Sequence, residues 1–136
     1  MYSGAYAVND AGVVAGYSYR SDTDIDAVVW RPSGQGSYGI TDLGRLPGSL
    51  SSYTYAINDA GVIAGDSSSP GQQEAVHHAV TWTPTAAGSY AISELPVPPG
   101  DSDGTAFAIN DAGVVAGDSF SSNGEEHALV WTGTRP

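Results

Sequence analysis

The run Asn9-Asp10-Ala11-Gly12-Val13-Val14-Ala15-Gly16 decides the fold, because the chain contains it three times. The second copy starts at Asn58, with Ile63 in place of the second valine, and the third starts at Asn110. In each copy two apolar runs are joined by turn-forming residues that end in glycine, which is typical of a β-hairpin. We expect a type I turn whose asparagine side chain accepts hydrogen bonds from the turn backbone. The turn glycines are expected in the left-handed position of a G1 bulge, at Gly12, Gly61 and Gly113.

The spacing of the copies indicates a repeat of four short strands. Asn9 and Asn58 are 49 residues apart, and Asn58 and Asn110 are 52 apart. A tryptophan ends the third strand-like run of each copy and is expected to be buried between adjacent sheets, at Trp30, Trp82 and Trp131. A repeat of this length with four strands is typical of a propeller blade.

The sequence predicts one all-β domain, residues 1–136, with eleven strands in units of about 5–50, 54–100 and 105–136. The last unit lacks its fourth strand. Residues 31–34 are expected to form a turn and residues 96–104 a loop. Small residues at equivalent places, such as Gly16, Gly65 and Gly117, predict strands that pack closely against a neighbouring sheet.

Two complete units and part of a third are too few for a propeller, which typically has four to eight blades. Either several chains assemble a ring, or the three units close on themselves as a β-trefoil or a β-prism. We favour assembly, because exposed sheet edges invite pairing and heterologous contacts close into rings. The expected partner is a second copy of the chain, in a homo-oligomer that completes a ring.

The composition excludes several classes of function. The net charge is −11, with four arginines and no lysine, and such an acidic surface opposes nucleic-acid binding. A role of this charge in keeping the protein soluble explains it equally well. The chain has no cysteine and therefore no thiolate chemistry. No run approaches the roughly 18 apolar residues of a membrane span, and residues 1–4 lack the features of a signal peptide.

Candidate metal ligands are few. Asp22, Asp24 and Asp26 alternate as oxygen ligands do in calcium loops, although the expected Gly and Glu of that motif are absent. Residues 101–104 form a second, shorter acidic stretch. Turn chemistry explains both stretches as well, so calcium and a plain turn remain open, and no other cofactor is expected. His77 and His78 are neighbours on a strand and point to opposite faces, which argues against shared chelation.

No sequence motif of a known catalytic site is present, and we expect no enzymatic activity. Three functions stay open. The first is a lectin-like or protein-binding module that uses aromatic side chains, at Tyr17, Tyr19, Tyr53 and Phe120. The second is a purely structural repeat of a surface protein. The third is a fragment of a propeller hydrolase whose catalytic residues lie elsewhere.

The pattern Ala-x-Ala-(Ile/Val)-Asn-x-x-Gly-x-(Val/Ile)-x-Gly, followed by His-Ala-x-x-Trp, resembles the HAF repeats of bacterial extracellular proteins. His78 and His127 begin the matching strands, Val80 and Leu129 stand where the family has Phe, and Asp26 replaces the His in the first copy. The resemblance implies a propeller-like repeat array in a secreted or cell-surface bacterial protein. It implies no reaction.

Overall fold

The computed structural model describes residues 2–71, 74–85 and 88–133, which form eleven strands in three antiparallel sheets. Sheet 1 contains β1 (Ser3–Val8), β2 (Val14–Tyr19), β3 (Ile25–Gly34) and β4 (Ser37–Asp42). Sheet 2 contains β5 (Ser51–Ile57), β6 (Ile63–Ser69), β7 (Val76–Pro84) and β8 (Tyr90–Glu94). Sheet 3 contains β9 (Asp101–Ile109), β10 (Val115–Ser121) and β11 (Glu126–Trp131). Within each sheet the strands follow chain order, and the all-β prediction is confirmed.

The repeated hairpin turns have the geometry expected from the sequence. In the first, the Gly12 amide donates to the Asn9 carbonyl at 3.0 Å, and the Val13 amide donates to Asn9 Oδ1 at 2.9 Å. The other two turns repeat the backbone bond and the side-chain bond. The three turn glycines have φ angles of 78°, 85° and 83°, a region that side chains with a Cβ rarely adopt.

A relay of hydrogen bonds joins the three turns across the sheets. Asn9 Nδ2 donates to the Asn58 carbonyl at 3.0 Å, and Asn58 Nδ2 donates to the Asn110 carbonyl at 3.0 Å. The Asp10 amide donates to Asp59 Oδ1 at 2.8 Å, and the Asp59 amide donates to Asp111 Oδ1 at 2.8 Å. This turn relay runs in one direction, since each unit donates to the next.

One aromatic residue per sheet is bulged out of the first strand, at Tyr6, Tyr55 and Phe107. The glycine beside each bulge lies so near the adjacent strand that a Cβ would sit 1.9–2.0 Å from a carbonyl oxygen, at Gly16, Gly65 and Gly117. Packing against a neighbouring sheet is not what excludes a Cβ at these glycines. The close approach is to the backbone of the neighbouring strand in the same sheet.

The sheets stack face to face in chain order, and each has two unlike faces. The alanine face of sheet 1 (Ala15, Ala27, Val29) packs on the tryptophan face of sheet 2 (Ile63, Val80, Trp82). The alanine face of sheet 2 packs in the same way on the tryptophan face of sheet 3, through Ala64, Ala79, Val115 and Trp131. The two outer sheets have the same two kinds of face. Val14 pairs with Trp30 on the tryptophan face of sheet 1, and Ala116 pairs with Val130 on the alanine face of sheet 3.

The tryptophans also hydrogen-bond to the preceding unit. Trp82 Nε1 donates to the Gly44 carbonyl at 3.2 Å, and Trp131 Nε1 donates to the Pro96 carbonyl at 2.6 Å. Both carbonyls lie just after the last strand of the preceding sheet. Trp82 and Trp131 are buried, whereas Trp30 is half-buried.

Two segments predicted as irregular belong to strands. The predicted turn at residues 31–34 is the end of β3, where Pro32 pairs with Tyr38, and the hairpin turn follows at Gln35 and Gly36, both with positive φ. The predicted loop at residues 96–104 is wrong from residue 101 onward, because Asp101 pairs with Ser121 and begins β9. In both places pairing with a neighbouring strand outweighs the local turn preference of Pro, Asp, Ser and Gly.

The three sheets, as far as the structure describes them, do not close on one another. The propeller and the self-closed trefoil or prism therefore remain predictions. Within the described ranges no helix is long and apolar enough to cross a membrane.

Candidate functional site

Seven aromatic rings of the described residues form a continuous strip across all three sheets, and we call it the aromatic strip. Its members are Tyr2, Tyr6, Tyr17, Tyr19, Tyr53, Tyr55 and Phe107. Ring centroids of neighbouring members lie 5.2–6.4 Å apart. These separations are in the range that favours edge-to-face and offset contacts between aromatic rings.

The β-bulges position the centre of the strip. Tyr6, Tyr55 and Phe107 occupy equivalent bulges, and their rings form a column with separations of 5.9 and 5.2 Å from sheet to sheet. A bulge changes the direction of a side chain relative to the regular alternation of a strand. The column therefore follows directly from the same local irregularity repeated in each unit.

The rest of the strip extends from this column over sheet 1. Tyr17 contacts Tyr6 and Tyr53 at centroid distances of 5.5 and 5.6 Å, and Tyr19 and Tyr2 continue the series. The Tyr17 ring lies over Gly4, where a Cβ would stand 2.6 Å from the ring. Gly4 therefore leaves the space that Tyr17 occupies.

The strip is accessible to solvent along much of its length. Tyr2, Tyr6 and Phe107 are 75%, 55% and 47% exposed, and the other four tyrosines are half-buried. Contiguous exposed aromatic surface of this kind is typical of interaction sites, because it is costly to leave in water. Every ring of the strip is at least partly accessible to solvent.

Two phenols in the strip have strongly perturbed acidities. Burial, with a contribution from Tyr19, raises the pKa of Tyr53 to about 12. Burial, with a contribution from Asp66, raises the pKa of Tyr55 to about 12. Both hydroxyls are therefore neutral hydrogen-bonding groups at any physiological pH.

Alkaline titration of the folded chain should show two tyrosines that ionise about two pH units above the pKa of about 10 of a free tyrosine. Because folding raises both pKa values, the stability that these phenols contribute is present below about pH 10 and is lost as the pH rises through about 12. Ultraviolet absorbance of the phenolate follows the ionisation. The Tyr53→Phe/Tyr55→Phe double variant should lack the late phase, and ionisation of all tyrosines together near pH 10 in the folded protein would contradict the assignment.

The structure brings together three of the four binding residues predicted from the sequence. Tyr17, Tyr19 and Tyr53 belong to the strip, whereas Phe120 lies on β10 and makes no ring contact with it among the described residues. Sequence reasoning missed Tyr2, Tyr6, Tyr55 and Phe107. The available signal was the recurrence of an aromatic residue before an alanine in the first strand of every copy, at Tyr6, Tyr55 and Phe107.

The three aspartates proposed as calcium ligands are engaged differently. Asp26 lies on β3, and its carboxylate is 3.3 Å from Arg45 Nη1 and 3.6 Å from Arg20 Nε. Burial, and then the nearby Asp42, raises the pKa of Asp26. Asp24 is 3.7 Å from Arg20 Nη2. In the described part of the chain no three His, Asp or Glu side chains are placed to hold a metal ion. A calcium site at Asp22, Asp24 and Asp26 stays a prediction.

The histidines pair separately with carboxylates. His77 Nδ1 lies 3.4 Å from Asp66 Oδ2, and the hydrogen bond to this buried carboxylate raises the pKa of His77. His127 Nδ1 lies 3.0 Å from Asp101 Oδ2. The Ser119 hydroxyl, and then His127, lower the pKa of Asp101. Residues 101–104 belong to a paired strand and not to an acidic loop, because Asp101, Asp103 and Gly104 pair with β10.

Comparison with known proteins finds no family model that matches the chain, and no similar curated protein or solved structure.

Proposed function

We propose that this chain is a non-catalytic recognition module that binds carbohydrate through the aromatic strip. The observation that supports this proposal is the continuity of the strip, with rings from all three sheets 5.2–6.4 Å apart. Aromatic faces stack on the apolar faces of sugar rings, and neutral tyrosine hydroxyls supply hydrogen bonds at the edges of the same side chains. We propose no reaction at this site.

The charge and shape of the molecule favour one class of glycan. With a net charge of −11, the chain repels polyanions, so we propose a neutral polysaccharide or oligosaccharide. The strip is long and open, which suits an extended chain of sugars better than a single small molecule enclosed in a cavity.

We further propose that the three sheets are blades of a propeller-like array of HAF type, in a secreted or cell-surface bacterial protein. Three features support this view: the repeat spacings of 49 and 52 residues, the meander order of each sheet, and the face-to-face stacking of sheets whose first strands lie next to each other. Repeats of this length with four strands per unit are typical of blades.

Calorimetric titration against a panel of neutral oligosaccharides tests the binding proposal. Tyr17→Ala and Tyr53→Ala should each lower the affinity for a bound glycan about tenfold, because a lost aromatic contact is worth about 1–1.5 kcal/mol. Phe120→Ala is the matched control, since Phe120 is an exposed aromatic residue outside the strip, and it should leave the affinity unchanged.

Two results would reject carbohydrate binding at the strip. One is that no member of the panel binds to the folded chain at millimolar concentration, which corresponds to about −4 kcal/mol. The other is an equal loss of affinity in Phe120→Ala and Tyr53→Ala. Either result would favour the purely structural repeat.

A further inference from the structure

The same interface occurs twice within the chain. In both cases the small residues of an alanine face cover a tryptophan and its apolar neighbours on the next sheet. In both cases the tryptophan Nε1 donates to a carbonyl of the preceding unit, and the turn relay adds its two bonds. The same contact between two different faces therefore occurs twice, and a contact between different faces is a heterologous interface.

The two end faces of the chain are the two halves of this interface, and both leave apolar residues exposed, although Val28 on the tryptophan face of sheet 1 is only 4% exposed. On the tryptophan face of sheet 1, Val8 is 64% exposed, while its equivalent in sheet 2, Ile57, is 9% exposed. An open hollow of about 390 Å³ lies on this side, lined in part by Gly4, Val14 and Trp30. With a preceding sheet in place, the position equivalent to Val8 is buried in sheet 2 and partly buried in sheet 3, at Ile109.

The alanine face of sheet 3 shows the converse. Val130 is 67% exposed, while its equivalent in sheet 1, Val29, is 0% exposed. Ala116 and Ala128 are also exposed, although the corresponding alanines of sheets 1 and 2 are buried. The end of the chain therefore presents the same small-residue surface that seats a tryptophan face twice within it.

The ends of the turn relay match in the same way. Asn110 Nδ2 and the Asp111 amide occupy the donor positions of the last unit and have no acceptor among the described residues. In the second and third units, the carboxylates of Asp59 and Asp111 each accept a hydrogen bond from the amide of the preceding unit. The equivalent carboxylate of the first unit, Asp10, accepts from no amide among the described residues. Donors at one end and acceptors at the other complement each other.

We infer that a second copy of this chain covers both faces, with the alanine face of each sheet 3 seated on the tryptophan face of the other chain's sheet 1. Two chains of three units give six, the only multiple of three within the usual four to eight blades. Both contacts are then the interface that already occurs inside each chain. The assembly does not require a bound carbohydrate.

Sedimentation equilibrium on the intact chain tests the assembly, at concentrations up to about 100 µM and at about 0.15 and 1 M salt. We expect a species of twice the 13.9 kDa chain mass. Higher salt should strengthen it, because two acidic chains repel each other and salt screens that repulsion.

Variants on the two faces locate the interface. Val130→Glu places a charge on one end face, and Trp30→Ala removes the central ring of the other. Each should raise the dissociation constant about 100-fold or more, as expected for a buried charge or a lost aromatic anchor. Asn110→Asp keeps the oxygen that accepts from the Val114 amide and removes the outgoing donor, and it should weaken the dimer about tenfold.

Leu50→Glu is the matched control, because Leu50 is an exposed apolar residue between β4 and β5, away from both end faces. It should leave the dimer intact. Circular dichroism of each variant tests whether it remains folded. A folded monomer at both salt concentrations would overturn the inference and assign the uncovered faces to further repeats of a longer chain. A dimer unaffected by both Val130→Glu and Trp30→Ala would also overturn it.

Discussion

Gly65→Ala is expected to destabilise the chain by about 3 kcal/mol or more, which is at the upper end of the cost of overpacking. The added Cβ would stand 1.9 Å from the Tyr53 carbonyl oxygen. A backbone atom in a paired strand cannot rotate away as a side chain would. The strand also has little freedom to shift, because Thr54 is buried and its hydroxyl donates to the Gly16 carbonyl at 3.0 Å.

Equilibrium denaturation of the wild type and the variant measures this effect. Gly39→Ala is the control, since a Cβ at Gly39, also in a strand, meets no atom within 4 Å. We expect that variant to change the free energy of unfolding by about 0.5 kcal/mol or less. Similar losses in the two variants would show that the close backbone approach at Gly65 is not the reason for glycine there.

Trp82→Ala should cost about 3–5 kcal/mol, the usual range for removing a large buried aromatic side chain. Trp82 is fully buried between sheets 1 and 2, and its indole N–H is bonded to the Gly44 carbonyl at 3.2 Å. The substitution leaves a cavity in the main core and an unpaired carbonyl beside it. Urea unfolding, analysed as a two-state transition, gives the difference.

Trp30→Ala provides the comparison at the equivalent position of sheet 1. Measured in the Val130→Glu background, where the proposed dimer is broken, it should cost about 1 kcal/mol or less, because Trp30 has no preceding sheet to pack against. Equal losses for Trp82 and Trp30 in that background would contradict the assignment of Trp30 to an uncovered face.

The hairpin turns were predictable from the sequence because their chemistry is local. Asn9 and Gly12 bond to groups that are at most four residues away in the chain. Residue type and spacing are therefore enough to predict the turn. The strands followed from the apolar runs for the same reason. Their extensions at Arg31 and at Asp101 did not, because those residues are held in strands by partners elsewhere in the sheet.

The aromatic strip was only partly predictable. Tyr17, Tyr19 and Tyr53 were recognised as candidate binding residues, but their arrangement depends on cross-strand register and on stacking between sheets. A bulge at Tyr55 cannot be distinguished from regular alternation without knowing the register opposite it. Phe120 has the same chemical character as these residues and lies outside the strip, because sheet 3 brings no second ring near it.

The direction of the turn relay bears on how such a chain changes in length. The middle unit accepts from the first and donates to the third, so its two contacts in the relay have the same form. An in-frame duplication of one period would insert a further unit with its donors, acceptors and faces already matched on both sides. In arrays of this kind stability is close to a sum over units and their contacts. If the proposed ring forms, the number of units can change only by whole units and only to values that still allow the ring to close.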